Sequence, residues 1–186
     1  MSVEIAKHCF SVSEYERMGQ IGVFAEDAHI ELIEGEIVEM SPVGSRHAAC
    51  VKLLSRTLNR QVGDEAIVST QDPIQLGEYS EPQPDVALLR FREDFYRNAH
   101  PTPSDVLLVI EVAETTVEYD RNTKVLLYAG AGIPEALIFN LPDEQLEYYA
   151  DPEGGIYRTT RILKRGEHLE SSRLSGVTFD VDAVLG

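Results

Sequence analysis

The chain is 186 residues long and carries 16 Lys and Arg against 32 Asp and Glu, a formal net charge of −16. With 43% hydrophobic, 26% charged and 8% aromatic residues it has the composition of a globule that buries one core, and at this length one domain over residues 1–186 is expected. The longest apolar runs, such as residues 106–110, fall far short of the about 20 residues of a membrane span, and acidic Glu4 stands where a leader would be basic, so neither export nor anchoring is expected.

Ser11-Val-Ser-Glu14 has capping-box spacing and predicts a short helix over 12–18 that ends by Gly19. Residues 30–40 form two apolar segments either side of Glu34-Gly35, where glycine supplies the positive φ of a tight turn, which predicts a hairpin. Pro42 and Gly44 then break the chain. Ser45 is a candidate cap, and residues 46–62 carry Val51, Leu54 and Leu58 at helical spacing with no internal Pro or Gly.

Residues 66–76 alternate polar and apolar and predict one strand, with Pro73 marking an edge or a bulge. Pro82 and Pro84 introduce a second strand over 85–89, and a charged, Pro-containing loop follows over 91–104. Residues 105–113 are almost continuously apolar, the pattern of a strand buried on both faces and therefore central. Residues 117–129 turn helical and stop at Gly130 and Gly132. Pro134 leads into an apolar strand over 136–141, which completes a β-α-β succession. The remainder, with turns at Pro142-Asp143 and Glu153-Gly154-Gly155, predicts short antiparallel strands and a weak C-terminal segment. Cys9 and Cys50 have no paired spacing, which fits neither a disulfide framework nor a thiolate zinc site and suits a reducing cytoplasm.

Two acids stand in unusual places. Asp85 follows Pro84 at the opening of a strand, and Glu111 interrupts the central apolar run, where burying a carboxylate is costly without a compensating cation or hydrogen bonds. If the two strands are neighbours, both carboxylates reach one edge of the sheet, and their oxygen ligands suit Mg²⁺ or Mn²⁺. The plainer alternative is that Asp85 caps a turn and Glu111 pairs with a lysine.

Glu81-Pro-Gln-Pro-Asp85, Val109-Ile-Glu111-Val-Ala-Glu-Thr-Thr, Glu118-Tyr-Asp120-Arg-Asn-Thr-Lys124 and Leu127-Tyr-Ala-Gly-Ala-Gly-Ile-Pro-Glu135 occur in that order. With Glu31-Leu-Ile-Glu-Gly-Glu-Ile-Val-Glu-Met-Ser-Pro42 before them, they resemble the Uma2 family (DUF820) of the PD-(D/E)XK nuclease superfamily, over about residues 11–150. The resemblance implies an α/β, restriction-endonuclease-like fold: a mixed β-sheet core flanked by helices, with an N-terminal helix and hairpin and a β-rich C-terminal tail.

It further implies that Asp85 is the motif aspartate, Glu111 the motif acid and Lys124 the motif lysine. The superfamily's basic pattern has that lysine two residues after the acid, where this chain has Ala113. The resemblance implies a migrated lysine, delivered from the following helix to the same site. Catalysis needs a cation there, whichever backbone supplies it. The alternative for Lys124 is an ordinary i,i+4 pair with Asp120.

The implied reaction is metal-assisted hydrolysis of DNA phosphodiester bonds. Asp85, Glu111 and the Val112 backbone carbonyl would hold Mg²⁺ or Mn²⁺, and Lys124 would assist the attacking water. Glu31 is a candidate further acid, against the reading of a strand-surface acid. His47 falls where the family often has a histidine, against the reading of a surface residue at a helix start. A homodimer with two sites for two strands follows by the same analogy.

Net acidity counts against nucleic acid at long range, but screening confines each field to roughly 10 Å at 0.1 M salt. Residues 46–60 contain Arg46, Lys52, Arg56 and Arg60 and no acid, so this segment is +4 and the remainder −20. Lys52, Arg56 and Arg60 recur every four residues on one helical face, either a solvated face or a narrow DNA-contacting ridge. A non-enzymatic nuclease-fold protein that binds a protein or nucleic-acid partner is the competing reading, motivated by Ala113 and by the acidity. A Ser or Cys hydrolase has weaker support, since no Gly-x-Ser-x-Gly elbow occurs.

Overall fold

The structure is a computed structural model that describes residues 6–25, 28–40 and 43–185; Glu4, and Ser41 and Pro42 at the end of the hairpin motif, lie outside them. The capping box opens α1 (Val12–Gln20): the Glu14 amide donates to Ser11 Oγ, and the Ser11 amide donates to the Glu14 carboxylate at 2.9 Å. Val12 and Tyr15 pack on Leu32 of a hairpin, β1 (Ile30–Ile33) and β2 (Glu36–Glu39), to form a small apolar cluster. At its turn Gly35 takes φ 80° against Cys9, where a Cβ would lie 2.6 Å from the Cys9 Cβ. Glycine is required there both for its φ and for its size.

Six strands form the central sheet in the order β3-β4-β5-β6-β7-β8, namely β3 (Ala66–Ser69), β4 (Val86–Arg90), β5 (Val106–Ala113), β6 (Glu135–Asn140), β7 (Gln145–Glu153) and β8 (Ile156–Lys164). Only β5 and β6 run parallel, so the sheet is mixed. All eight residues of β5 are buried, as its almost continuous apolar run predicts, because helices cover both faces. On one face Leu108, Ile110 and Val112 join Val51, Leu54 and Leu58 of α2 (Ser45–Val62). On the other, Val109 and Ala113 join Val125, Tyr128 and Ala129 of the helical stretch that crosses over to β6.

Four local expectations are corrected. Helix α2 is preceded by Gly44 with no side-chain cap, and Ser45 is its first residue. The strand predicted over 66–76 stops at Ser69, whose hydroxyl donates to Asp72 at 2.7 Å while Gln71 turns to φ 56°; local side-chain bonding there replaces the ladder. The helix predicted over 117–129 comes in three parts: α3 (Val117–Tyr119), a π-helical turn (Asp120–Lys124) and α4 (Val125–Gly130). The predicted tail of short strands instead gives two nine-residue strands, β7 and β8, that extend the main sheet. After them, β9 (His168–Glu170) pairs with β10 (Thr178–Asp180), and α5 (Val181–Leu185) packs on α2. Among the described residues no helix is long and apolar enough to cross a membrane.

Candidate active site

The ladder between β4 and β5 ends at Val86 opposite Ile110. One residue earlier the Asp85 side chain continues it, with Oδ2 accepting the Val112 amide at 2.8 Å. In a strand the N–H and C=O of one residue point to the same side, so the Val112 carbonyl opens toward Asp85 as well. His47, in the first turn of α2, donates from Nε2 to the same Asp85 oxygen at 3.0 Å, and Gln71 Nε2 donates to Oδ1 at 3.2 Å. Burial alone would push the His47 pKa down, but the bond to Asp85 and its charge outweigh it and hold the pKa above the ordinary histidine value.

Glu111 and Ala113 share the face of β5 that meets the crossover helix. Ala113 is fully buried, and its small side chain lets the helix approach and deliver a lysine from its own backbone. The Lys124 ammonium, 2% exposed as a residue, donates to Glu31 Oε1 at 2.9 Å and lies 3.3 Å from Glu111 Oε1. Burial would lower its pKa, but Glu111, Glu31 and Asp120 raise it above the usual lysine range. Lys124 is therefore charged.

Tyr128 Oη donates to Glu111 Oε1 at 2.5 Å. Burial holds the Glu111 carboxyl well above its ordinary value against the pull of Lys124. Asp120 is likewise pushed up to about 6 by burial, with Lys124 and the Thr116 hydroxyl opposing.

The π-helical turn that presents Lys124 is clamped from outside. Arg121 Nε donates to Glu147 Oε2 of β7 at 2.8 Å, and Asn140, Gln145 and Tyr149 donate to the same carboxylate. A π-helical turn is a strained insertion that such anchoring sustains, and these turns recur at functional sites.

Glu31, His47, Asp85, Glu111, Val112 and Lys124 therefore line one open cleft of about 500 Å³. Glu31 is 3% exposed and accepts the Gln83 amide at 3.0 Å, which replaces the reading of a strand-surface acid. His47 is partly buried against Asp85 and is no free surface residue. The ion pairs of Lys124 are to Glu31 and Glu111, and the alternative i,i+4 pair with Asp120 is not among them.

Arg46, Lys52, Arg56 and Arg60 lie outside the cleft lining; all four are exposed along α2, and Arg46 pairs with Glu144 at 3.7 Å. The sequence assigns neither Asp120 nor Tyr128 to the site, although Asp120, Lys124 and Tyr128 follow one another at spacings of four, which puts them on one helical face.

The donor set suits a hard divalent cation. Five carboxylates, those of Glu31, Asp85, Glu111, Glu114 and Asp120, line the cleft with Lys124 as its ammonium. Glu31 Oε2 is buried with no hydrogen-bond partner, and Glu111 Oε2 takes no hydrogen bond among the described residues. Carboxylate oxygens in surplus are the donor type that hard divalent cations such as Mg²⁺ or Mn²⁺ take, and the imidazole beside them, His47, is bonded to Asp85. The only helix thiol, Cys50, is buried and its pKa is pushed up to about 12, so a thiolate nucleophile has no support.

Residues 12–182 match the Uma2 family, described as "Putative restriction endonuclease". No curated protein matches the sequence. The fold is similar to the crystal structure of "a putative nuclease belonging to DUF820 from Anabaena variabilis ATCC 29413", with a TM-score of 0.72 and 14% sequence identity over 95% of this chain and 97% of that one.

Proposed function

Because this chain belongs to the Uma2 family, we propose that it is a divalent-metal-dependent endonuclease that hydrolyses DNA phosphodiester bonds in the cleft at the end of β5. One observation carries the reading: Lys124, from a different element than the usual strand position, is buried within 3.3 Å of Glu111 while Asp85 lies across the cleft against Val112.

Asp85, Glu111 and the Val112 carbonyl would hold Mg²⁺ or Mn²⁺, which when bound supplies Lewis acidity toward the phosphoryl oxygen and a more acidic water. The protein's own groups do the rest. Val112, His47 and Gln71 donate to Asp85 and fix the direction of its carboxylate. Tyr128 fixes Glu111 through Oε1, which leaves Oε2 for a ligand. The Lys124 ammonium, kept charged and oriented by Glu31, orients the attacking water and offsets negative charge on the phosphate as it grows in the transition state.

Exposed Lys52, Arg56 and Arg60 on α2 supply a basic ridge for the duplex away from the cut. The same reading includes action in the cytoplasm, as a homodimer that addresses both strands, which sedimentation would test. Incubation of plasmid and branched DNA with Mg²⁺ or Mn²⁺ tests the activity. Cleavage is expected in the wild type and lost in Asp85→Ala and Lys124→Ala, and robust activity in both variants would remove this assignment.

A further inference from the structure

Away from the cleft, three side chains from distant parts of the chain converge: Glu16 on α1, Glu81 in the segment that leads to Asp85, and His100 in the loop before β5. Two carboxylate oxygens and an imidazole nitrogen there lie within 4.8 Å of one another. Glu16 and His100 are exposed, as acids and histidines commonly are.

Glu81 is different. It is 3% exposed, its side chain takes no hydrogen bond among the described residues, and its Oε2 is buried without a partner. A carboxylate taken out of water with nothing to compensate it is costly, and a cation is the natural compensation.

The backbone holds each ligand in place. The Glu81 amide donates to the Leu32 carbonyl at 2.7 Å, the Gln75 amide donates to the Pro101 carbonyl beside His100 at 2.9 Å, and the Val12 amide ties the start of α1 to the Glu78 carbonyl at 2.8 Å. Around a zinc ion, tetrahedral donors at about 2.1 Å lie about 3.4 Å apart. Closing the trio therefore takes movements of at most about 1.4 Å, and the two exposed side chains are free to supply them.

We propose that Glu16, Glu81 and His100 form a second metal site, separate from the cleft, which binds Zn²⁺ with water in the remaining position. One imidazole nitrogen with two carboxylates selects Zn²⁺ over Mg²⁺, the reverse of the oxygen ligands that Asp85, Glu111 and Val112 would offer in the cleft. Zn²⁺ there pins α1 and the loop at His100 to the 81–85 segment. That segment supports Glu31 through the Gln83 amide and carries Asp85, so zinc occupancy braces the cleft without entering it.

Co²⁺ serves as the coloured stand-in for Zn²⁺. The 186-residue chain, stripped of transition metals by a chelator and then placed in excess Mg²⁺ to occupy the cleft, is titrated with Co²⁺ while visible d–d absorption and melting temperature are followed. The expected result is a tetrahedral-type band that saturates at one equivalent, is erased by Zn²⁺, is lost in His100→Ala, and needs at least about ten-fold more Co²⁺ in Glu16→Gln. Both positions are exposed, so circular dichroism should show the two variants folded like the wild type. Zn²⁺ should raise the wild-type melting temperature and leave that of His100→Ala unchanged. Absence of the band, its persistence in His100→Ala, or its loss in Asp85→Asn instead would each overturn the proposal.

Discussion

Lys124 and Glu31 are 93 residues apart in sequence and joined by a 2.9 Å hydrogen bond between two buried side chains. The bond ties the crossover helix on one face of the sheet to a hairpin outside the sheet. We predict that Glu31→Gln and Lys124→Met do not add. A double-mutant cycle by denaturant unfolding should return a coupling of about 1–3 kcal/mol. Additive losses would mean that each residue is held by other neighbours.

The same ammonium is expected to act on rate more than on metal binding. Lys124→Met should lower the cleavage rate about 10²–10³-fold. Calorimetric Mn²⁺ binding should persist in it and be lost in Asp85→Asn. Since Ala113 shares its strand face with Glu111, Ala113→Lys in the Lys124→Met background should restore part of the rate. Overpacking at this buried position would cost about 1–3 kcal/mol of stability. No recovery of rate in a folded double variant would count against the migrated lysine.

Acid should act through Glu147. Burial alone would raise its carboxyl, but Arg121, Asn140, Gln145 and Tyr149 hold it down to about 2. In the unfolded chain it returns to about 4.3, so the folded state binds this proton less readily. Its contribution, on the order of 3 kcal/mol, is whole above about pH 5 and drains away as pH falls toward 2. Urea unfolding across that window should show a shallower pH slope in Glu147→Gln than in the wild type. Parallel slopes would contradict the assignment.

Gly35→Ala should destabilise the protein by roughly 2–4 kcal/mol, because alanine meets both a left-handed φ and a Cβ contact with Cys9. The loss should appear in thermal unfolding. Cleavage should fall with it only where the hairpin no longer presents Glu31.

The α2 ridge gives a prediction in salt. Arg56→Ala should weaken DNA binding and reduce the slope of log K against log salt by about one phosphate contact. Mn²⁺ affinity should not move. An unchanged slope would leave Lys52, Arg56 and Arg60 as a solvated face.

Much of the fold was legible because its signals are local. The capping box at Ser11 and Glu14, the apolar stripe of α2 and the almost continuous apolar run of β5 each decide an element within a few residues. The strand predicted over 66–76 failed where Ser69 and Asp72 bond each other, a competition that alternation of apolar residues does not register. Glu31 read more readily as a surface acid, because what buries it is Lys124 and the Gln83 amide, which arrive from far along the chain. Asp85 and Glu111 could be named from the residues that flank them. That Tyr128 and Asp120 stand beside them follows from the helix that crosses over Ala113 and is not visible in either segment alone.

The π-helical turn at Asp120–Lys124 makes the site sensitive to how many residues the chain has, besides which ones they are. Each residue in a regular α-helix turns the chain by about 100°, so deleting one position between Asp120 and Lys124 would relax the turn and rotate Tyr128 off Glu111 or Lys124 off Glu31. A point substitution at the exposed Asn122 leaves that phase intact. Length is thus the more stringent constraint on this stretch, and single-residue deletions should be far less tolerated here than in the loop over 91–102.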